Sequence, residues 1–470
     1  MLNYKIYSAG GFVESAAVLE VRNPFDHSLI ATTCLADEVI LNKAIIAAQA
    51  VRQEMAVLPS YKRFEILRYI SDQLKVNRQR LAEVLAAESA KPLRYALAEI
   101  DRSAQTFLIA AEEAKRVPKE YMSLDWTPNG TGKEGIVKYF PIGLVAGIAP
   151  FNFPMNLAVH KIAPAIASGC PIILKPASST PLSTLELAKI IDTTELPKGA
   201  VSVLPMDRKT GNQLVTDERF ALLSFTGSPV VGWEMKKQAG RKKVVLELGG
   251  NAGVIVAASA DLEKTLQKSI MGAFSYSGQI CIHAQRFFVH ESLFKAFVEG
   301  MKAAAEKLRS GNPLLADTEI SSMIDEENAK RVESWIHEAV EQGARLICGG
   351  KRQATFVEPT ILVNTKDSMK VYAEEVFGPV ITIEPYNSIE EAVKLANNTR
   401  FGLQCGVFTN LVSELDYCFM HLEVGGVIHN DVPTIRFDQM PYGGIKDSGL
   451  GREGVRYAMH DMLEPRILVK

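Results

Sequence analysis

The stretch 143–178, GLVAGIAPFNFPMNLAVHKIAPAIASGCPIILKPAS, carries the reading of the fold. Gly143 to Ile148 is a short apolar run, of strand length rather than helix length. Leu157 to Ala167 is long enough for a helix, and Pro171 to Lys175 is again a short, mostly apolar run. Two strands joined by a helix form a parallel crossover, whose sheet is covered on both faces.

The same rhythm continues outward. Helix Ser183 to Ile191, strand Val201 to Leu204, strand Leu222 to Phe225 and helix Gly232 to Gln238 follow. Val244 to Glu247 and Gly253 to Val256 extend it as two more strands. After Asp261 the alternation starts again, with strands at Arg286 to His290 and Val380 to Glu384 and long helices near Leu293 to Leu308 and Ile324 to Gln342. Upstream, Asp37 to Arg116 is helical in pattern, with apolar residues such as Phe64, Leu67, Ile70 and Leu74 three or four apart. The polar segment 119–140 breaks that pattern at Pro128, Gly130 and Gly132 and reads as an arm that leaves the domain and returns. Arg466 to Val469 is a short apolar strand suited to pairing with a neighbouring chain. A chain of 470 residues exceeds one ordinary core, so two or three units are expected.

Composition removes several classes. A net charge of −2 offers no attraction to nucleic acid or an anionic membrane. No apolar run approaches bilayer length, and Met1 to Lys5 lacks the apolar core of a signal peptide. The six cysteines, at 34, 170, 281, 348, 405 and 418, form no CxxC pair. They predict no metal site and no disulfide framework, but reduced thiols and a cytoplasmic protein.

Five short segments bring reactive groups to turns. Cys281 follows Gly278-Gln279-Ile280; alone it reads as a buried structural thiol. Glu247 ends an apolar strand at Gly249-Gly250, where a carboxylate can serve as a general base or stand as a solvated strand end. Asn152 lies between Phe151 and Phe153 and two prolines, so its amide is either an oxyanion donor or a turn former. Lys175 ends a strand in Lys175-Pro176-Ala177-Ser178, placed to reach ribose hydroxyls or phosphate, or to snorkel. Phe225-Thr226-Gly227-Ser228 leads to Gly232 and a helix, a turn suited to pyrophosphate although the usual GxGxxG pattern is absent.

Together these segments resemble the aldehyde dehydrogenase superfamily. PFNFP at 150–154, KPAS at 175–178, FTGS at 225–228, LELGGN at 246–251 and GQIC at 278–281 stand in the family's order. EEVFGPV at 374–380 and PYGGIKDSGLGRE at 441–453 complete the set. The resemblance implies an α/β fold with a Rossmann-type cofactor domain (1–118 and 141–246), an α/β catalytic domain (247–440) and a β-strand oligomerisation arm (119–140 and 457–470). It implies a homodimer or homotetramer. It further implies that Cys281 attacks an aldehyde, that Asn152 and the Cys281 backbone N–H hold the oxyanion, and that Glu247 activates water against the resulting thioester. Lys175, Ser178, Phe225, Gly227, Ser228, Gly232, Glu375 and Phe377 would line the cofactor, with no metal. Many NAD-preferring members carry Glu where this chain has Ser178, so NADP is permitted beside NAD.

Ile280 stands where some members that oxidise anionic semialdehydes place Arg, which weakens that reading. Arg102, His160 and His283 are the other candidates for touching substrate, although Arg102 has Glu99 one turn away and either His can be a packing residue. The pairing of PMNLAVHK with GQICI looks most like the subgroup that includes lactaldehyde dehydrogenases, implying a small polar aldehyde. A CoA-acylating enzyme, a catalytically dead binding relative and a thiol esterase are the rival readings; Glu247 argues against the first, and Cys281, Asn152 and Lys175 with it against the second. Ala90 replaces a Gly common in the family, with no functional consequence expected.

Overall fold

The computed structural model describes residues 2–470. Two mostly parallel sheets form its frame. The first has eight strands in the order Gly449–Leu450, Lys243–Glu247, Leu222–Thr226, Val145–Ile148, Ile172–Lys175, Val201–Val203, Ile6–Ser8 and Gly11–Val13. Its five central strands run parallel. The second has seven, with Ala252–Val256 between Ala284–His290 and Gln404–Phe408.

Strand order in the first sheet reverses between Val145–Ile148 and Leu222–Thr226. Loops leaving the two strands there diverge to opposite faces and open a crevice at the carboxyl ends, the usual ligand position in such sheets. Asn152 lies in one loop, and Gly227 with Ser228 in the other. The central strands are buried, which suits their Val-, Ile- and Leu-rich sequences.

The structure adds detail to the sequence reading at two places. Strands 243–247 and 252–256 do not extend one sheet; the chain crosses from the first sheet to the second in residues 248–251. Periodicity cannot distinguish a crossing from another turn, because both look like a short break between apolar runs. The C-terminal strand Leu463–Val469 is paired within its own chain, antiparallel to Glu134–Pro141, which also pairs with Lys119–Ser123. This three-stranded sheet keeps both outer edges open. The N-terminal strands between Leu2 and Cys34 are short; Ile6–Ser8 is buried and the others are partly or fully exposed, so apolar patterning does not reveal them.

Helix Pro154–Ser168 lies entirely in the core, although it contains Asn156, His160 and Lys161. Ala90 ends helix Arg78–Ser89 in the left-handed region at φ +52°. That conformation costs a residue with a Cβ roughly 1–2 kcal/mol, which is the physical reason a glycine suits the position.

Candidate active site

Cys281 follows a strained turn. Tyr276, Ser277 and Gly278 are all left-handed, at φ +49°, +53° and +68°. Side chains with Cβ atoms resist this, at roughly 1–3 kcal/mol each, so the surroundings must hold them. Tyr276 Oη donates to Ser89 O at 3.1 Å, and Ser277 Oγ to Ser321 O at 2.6 Å. Gln279 Oε1 accepts from the Ile324 N–H at 3.0 Å. A Cβ at Gly278 would stand 2.1 Å from Gly378 O, so only glycine fits.

The turn delivers Cys281 to a cavity of about 360 Å³ that is also lined by Asn152, Glu247, Gly227, Ser228, Glu375 and Phe377. The structure thus gathers seven of the residues singled out in the sequence. Asn152 Nδ2 donates to Gln279 O at 2.9 Å, which ties its loop to the nucleophile's loop and leaves a second N–H free in kind. Phe377 meets Phe151 edge to face at 5.8 Å.

Two groups at this cavity strongly favour their protonated forms. Burial pushes the Cys281 thiol up to about 11, against a partial lowering by its hydrogen-bonding partner Tyr442, whose Oη lies 3.1 Å from Sγ. Burial also raises Glu247 well above the usual carboxylate range, reinforced by the negative Glu453. Both Glu247 carboxyl oxygens are buried without a hydrogen-bond partner among the described residues. A carboxyl so placed holds a proton more readily than a solvated one and can take and return it in a reaction step. Glu375 accepts from the Gly250 N–H at 3.0 Å; burial raises it to about 7.

The remaining expected residues are dispersed. Lys175 ends its strand beside Ile148 but does not line the main cavity, and Ser178 is exposed. Phe225 and Gly232 pack behind the cavity wall: a Cβ at Gly232 would stand 2.4 Å from Leu248 Cδ2 and 3.2 Å from the Phe225 ring. His283 is buried with Nε2 2.7 Å from Ala273 O and is held down to about 4 by burial; it lies outside the cavity lining. His160 is buried, with Nε2 2.9 Å from Asp438 Oδ1. Arg102 pairs with that same oxygen at 2.8 Å and not with Glu99. Glu99 instead meets the buried Lys91 and accepts the Met155 and Asn156 N–H groups at 3.1 Å.

Several residues of the site escaped sequence reasoning. Asn328 and Arg331 line the cavity from helix Glu326–Glu341. Tyr442 touches the nucleophile, and the Arg436 guanidinium stacks on its ring at 3.8 Å. Arg436 also pairs with Glu453 at 2.9 Å, which in turn holds Lys161 at 3.1 Å. Tyr442 and Glu453 both fall in the quoted PYGGIKDSGLGRE, a signal that marked the segment but not its contacts.

The crevice suits a dinucleotide. Helix Pro229–Gln238 opens at Ser228 with no side-chain cap, leaving backbone N–H groups for an anion. A Cβ at Gly249 would stand 2.0 Å from Glu375 Oε2, so that carboxylate is packed directly over backbone. Among the described residues no cluster of His, Cys, Asp or Glu could hold a metal ion, and no helix is long and apolar enough to cross a membrane.

Residues 12–468 match the family described as the aldehyde dehydrogenase family. A 3-sulfolactaldehyde dehydrogenase of Priestia aryabhattai is 40% identical over 99% of this chain and 98% of its own. The crystal structure of aldehyde dehydrogenase 21 from Physcomitrella patens, in complex with the reaction product succinate, superposes with a TM-score of 0.98 at 46% identity, over 100% of this chain and 98% of that one. Glyceraldehyde-3-phosphate dehydrogenase GapN from Methanocaldococcus jannaschii, complexed with NADP, gives a TM-score of 0.92 at 38% identity, over 96% and 98% of the two chains.

Proposed function

The chain belongs to the aldehyde dehydrogenase family, an oxidoreductase class acting on aldehydes with NAD or NADP, and we propose that its substrate is a short aldehyde whose far end is acidic. The observation that carries this is a pair of guanidinium groups that each keep one buried nitrogen without a partner among the described residues. Arg102 and Arg436 converge on Asp438, at 2.8 and 3.9 Å, and the Nε of each is buried with no hydrogen-bond partner among the described residues. Arg436 is separated from Cys281 only by the Tyr442 ring on which it stacks. Buried donors without acceptors are costly; neither arginine lines the cavity around Cys281, and the proposal is that a substrate carboxylate or sulfonate reaches past the Tyr442 ring to them. The succinate and sulfolactaldehyde named for two relatives agree in chemistry. A second reading, a neutral hydroxyaldehyde such as lactaldehyde, is favoured by the buried, apolar Ile280 beside the nucleophile.

In the reaction, Cys281 releases its thiol proton to solvent, Sγ attacks the aldehyde carbon and the carbonyl oxygen becomes an oxyanion, held by the Asn152 amide and the Cys281 backbone N–H. A nicotinamide held in the crevice would supply the oxidation, as the acceptor of the hydride. Cys281 then carries a thioester. Glu247, in its ionised form, takes a proton from water as that water attacks the acyl carbon; the C–S bond breaks, Glu247 returns that proton to Sγ, and the acid product leaves as its carboxylate, releasing its own proton to solvent. Lys175, Ser178, Phe225, Gly227, Ser228, Gly232, Glu375 and Phe377 are the residues proposed to hold the cofactor, on the first sheet's crevice and the facing loop. Ser178 is neutral and exposed, so a 2′-phosphate meets no repulsion there, and the proposal includes NADP. The open edges of the three-stranded sheet are proposed to meet another copy of the chain.

The test is the initial rate of reduced-cofactor formation without CoA, using NAD and NADP in parallel. Succinate semialdehyde, lactaldehyde, glycolaldehyde and butanal form the panel, with Cys281→Ala as control. Succinate semialdehyde should exceed butanal in kcat/KM by about 10–100-fold, the worth of charge-assisted hydrogen bonds. Arg102→Gln should erase that preference while leaving kcat for butanal unchanged. A preference for lactaldehyde that Arg102→Gln leaves intact selects the second reading, and turnover only with CoA overturns both.

A further inference from the structure

A second cavity, of about 280 Å³, lies between the three-stranded sheet and the helical layer, far in sequence from Cys281. Its lining includes Arg63, Lys115, Lys119, Lys138 and Ser168, and no acidic residue. We propose that this cavity binds a small molecule bearing a doubly charged oxyanion, such as the phosphate of a phosphorylated metabolite.

The first argument is register. Lys119 stands directly opposite Lys138, and Lys138 directly opposite Arg466, so three cations form one row across the three strands. Like charges directly opposite destabilise a sheet, by roughly 0.2–1 kcal/mol a pair. No ion pair relieves Lys119, Lys138 or Arg466 among the described residues. An anion in the cavity would turn the repulsion of the two lining lysines into attraction.

The second argument is unsatisfied buried polarity on the opposite wall. Ser168 Oγ is fully buried yet has no hydrogen-bond partner among the described residues, and neither does Arg63 Nε. The other Arg63 nitrogens are fixed, donating to Ala167 O at 3.1 Å and Ala56 O at 3.3 Å, so the guanidinium is held in place at the cavity wall. Lys115 is the exception, already paired with Glu112 at 3.0 Å. Val117, Phe140 and Leu463 supply an apolar surface for the body of the ligand. The set of a fixed guanidinium, a hydroxyl and two free ammonium groups is that of an oxyanion site.

Titration calorimetry of the full chain with inorganic phosphate, at ionic strength held constant with chloride, tests the proposal. Wild type should show a saturable response. The double variant Lys119→Ser with Lys138→Ser, two exposed positions away from the proposed active site, should bind at least about tenfold more weakly. It should also melt no lower than wild type in phosphate-free buffer. Ser168→Ala, which removes an unpaired hydroxyl and keeps the packing, should weaken binding about threefold. Phosphate held at the cofactor crevice would respond equally in all three proteins, and that result overturns the proposal. So does the absence of any saturable response beyond chloride. A change of oligomeric state in the double variant with no phosphate response would reassign the cation row to contact with another chain.

Discussion

Buried charge is handled in opposite ways by two sets of residues near helix Pro154–Ser168. In one set every charge has partners: Lys91 with Glu99, Lys161 and Arg436 with Glu453, Arg102 and His160 with Asp438. Burial alone would raise Asp438, yet its hydrogen bond to His160 and the charges of Arg102 and Arg436 hold it far below the usual carboxylate range. In the other set, at the main cavity, Glu247 has no hydrogen-bond partner and Cys281 only a tyrosine hydroxyl. There burial is answered by protonation instead of pairing. Paired groups are locked in one ionisation state; unpaired ones keep a proton that chemistry can move.

The contrast predicts different failures. Removing the bare carboxyl should cost chemistry and little stability. Glu247→Gln should retain a single turnover of hydride transfer and lose steady-state rate by on the order of 10²–10⁴-fold, the usual worth of a positioned base. Rapid-mixing absorbance at 340 nm, followed into the steady state, reads both phases; an unchanged steady state would remove Glu247 from the deacylation step. Removing a paired group should do the reverse. Lys91→Met leaves Glu99 buried without its cation and should cost about 3–5 kcal/mol of stability, read by urea unfolding. A loss below 1 kcal/mol would show that the two N–H groups at Glu99 suffice without Lys91.

The smallest effect concerns Glu88, a buried acid between the two extremes. It accepts the Leu182 and Ser183 N–H groups at 2.6 and 2.9 Å, yet burial outweighs them and raises it to about 8. The folded chain thus keeps a proton that the unfolded chain releases above about 4.5. Its stabilising contribution is full below that pH and declines as pH rises toward 8. Tm measured from pH 5 to 8 should fall less steeply in Glu88→Gln than in wild type; parallel slopes would mean that Glu88 ionises normally.

Much of this was legible in the chain because the reactive residues lie close to strand ends, before or after them. Cys281, Glu247 and Asn152 each sit within a few residues of an apolar run, and local sequence marks such places. What escaped were contacts between distant segments. Tyr442 is 161 residues from Cys281, and Asp438 is 278 from His160. Local logic also misled: Glu99 lies one turn from Arg102, but a lysine on the preceding loop takes it, because that lysine is buried and has no alternative anion. Strand rhythm alone does not mark the break at 248–251 as a change of sheet; the domain boundary at 246/247 came from the family resemblance.

That break has a mechanical meaning. Glu247 closes the first sheet and Ala252 opens the second, so base and nucleophile belong to different frames joined by four residues. Two of the four are glycines with no clearance: a Cβ at Gly249 would strike the Glu375 carboxylate, and one at Gly250 would come within 2.7 Å of Cys281 O. Glycine often serves as a swivel, but here atoms from the second frame press on the backbone itself. The joint is a weld, and it sets the tolerance to which the two halves of the catalyst are assembled.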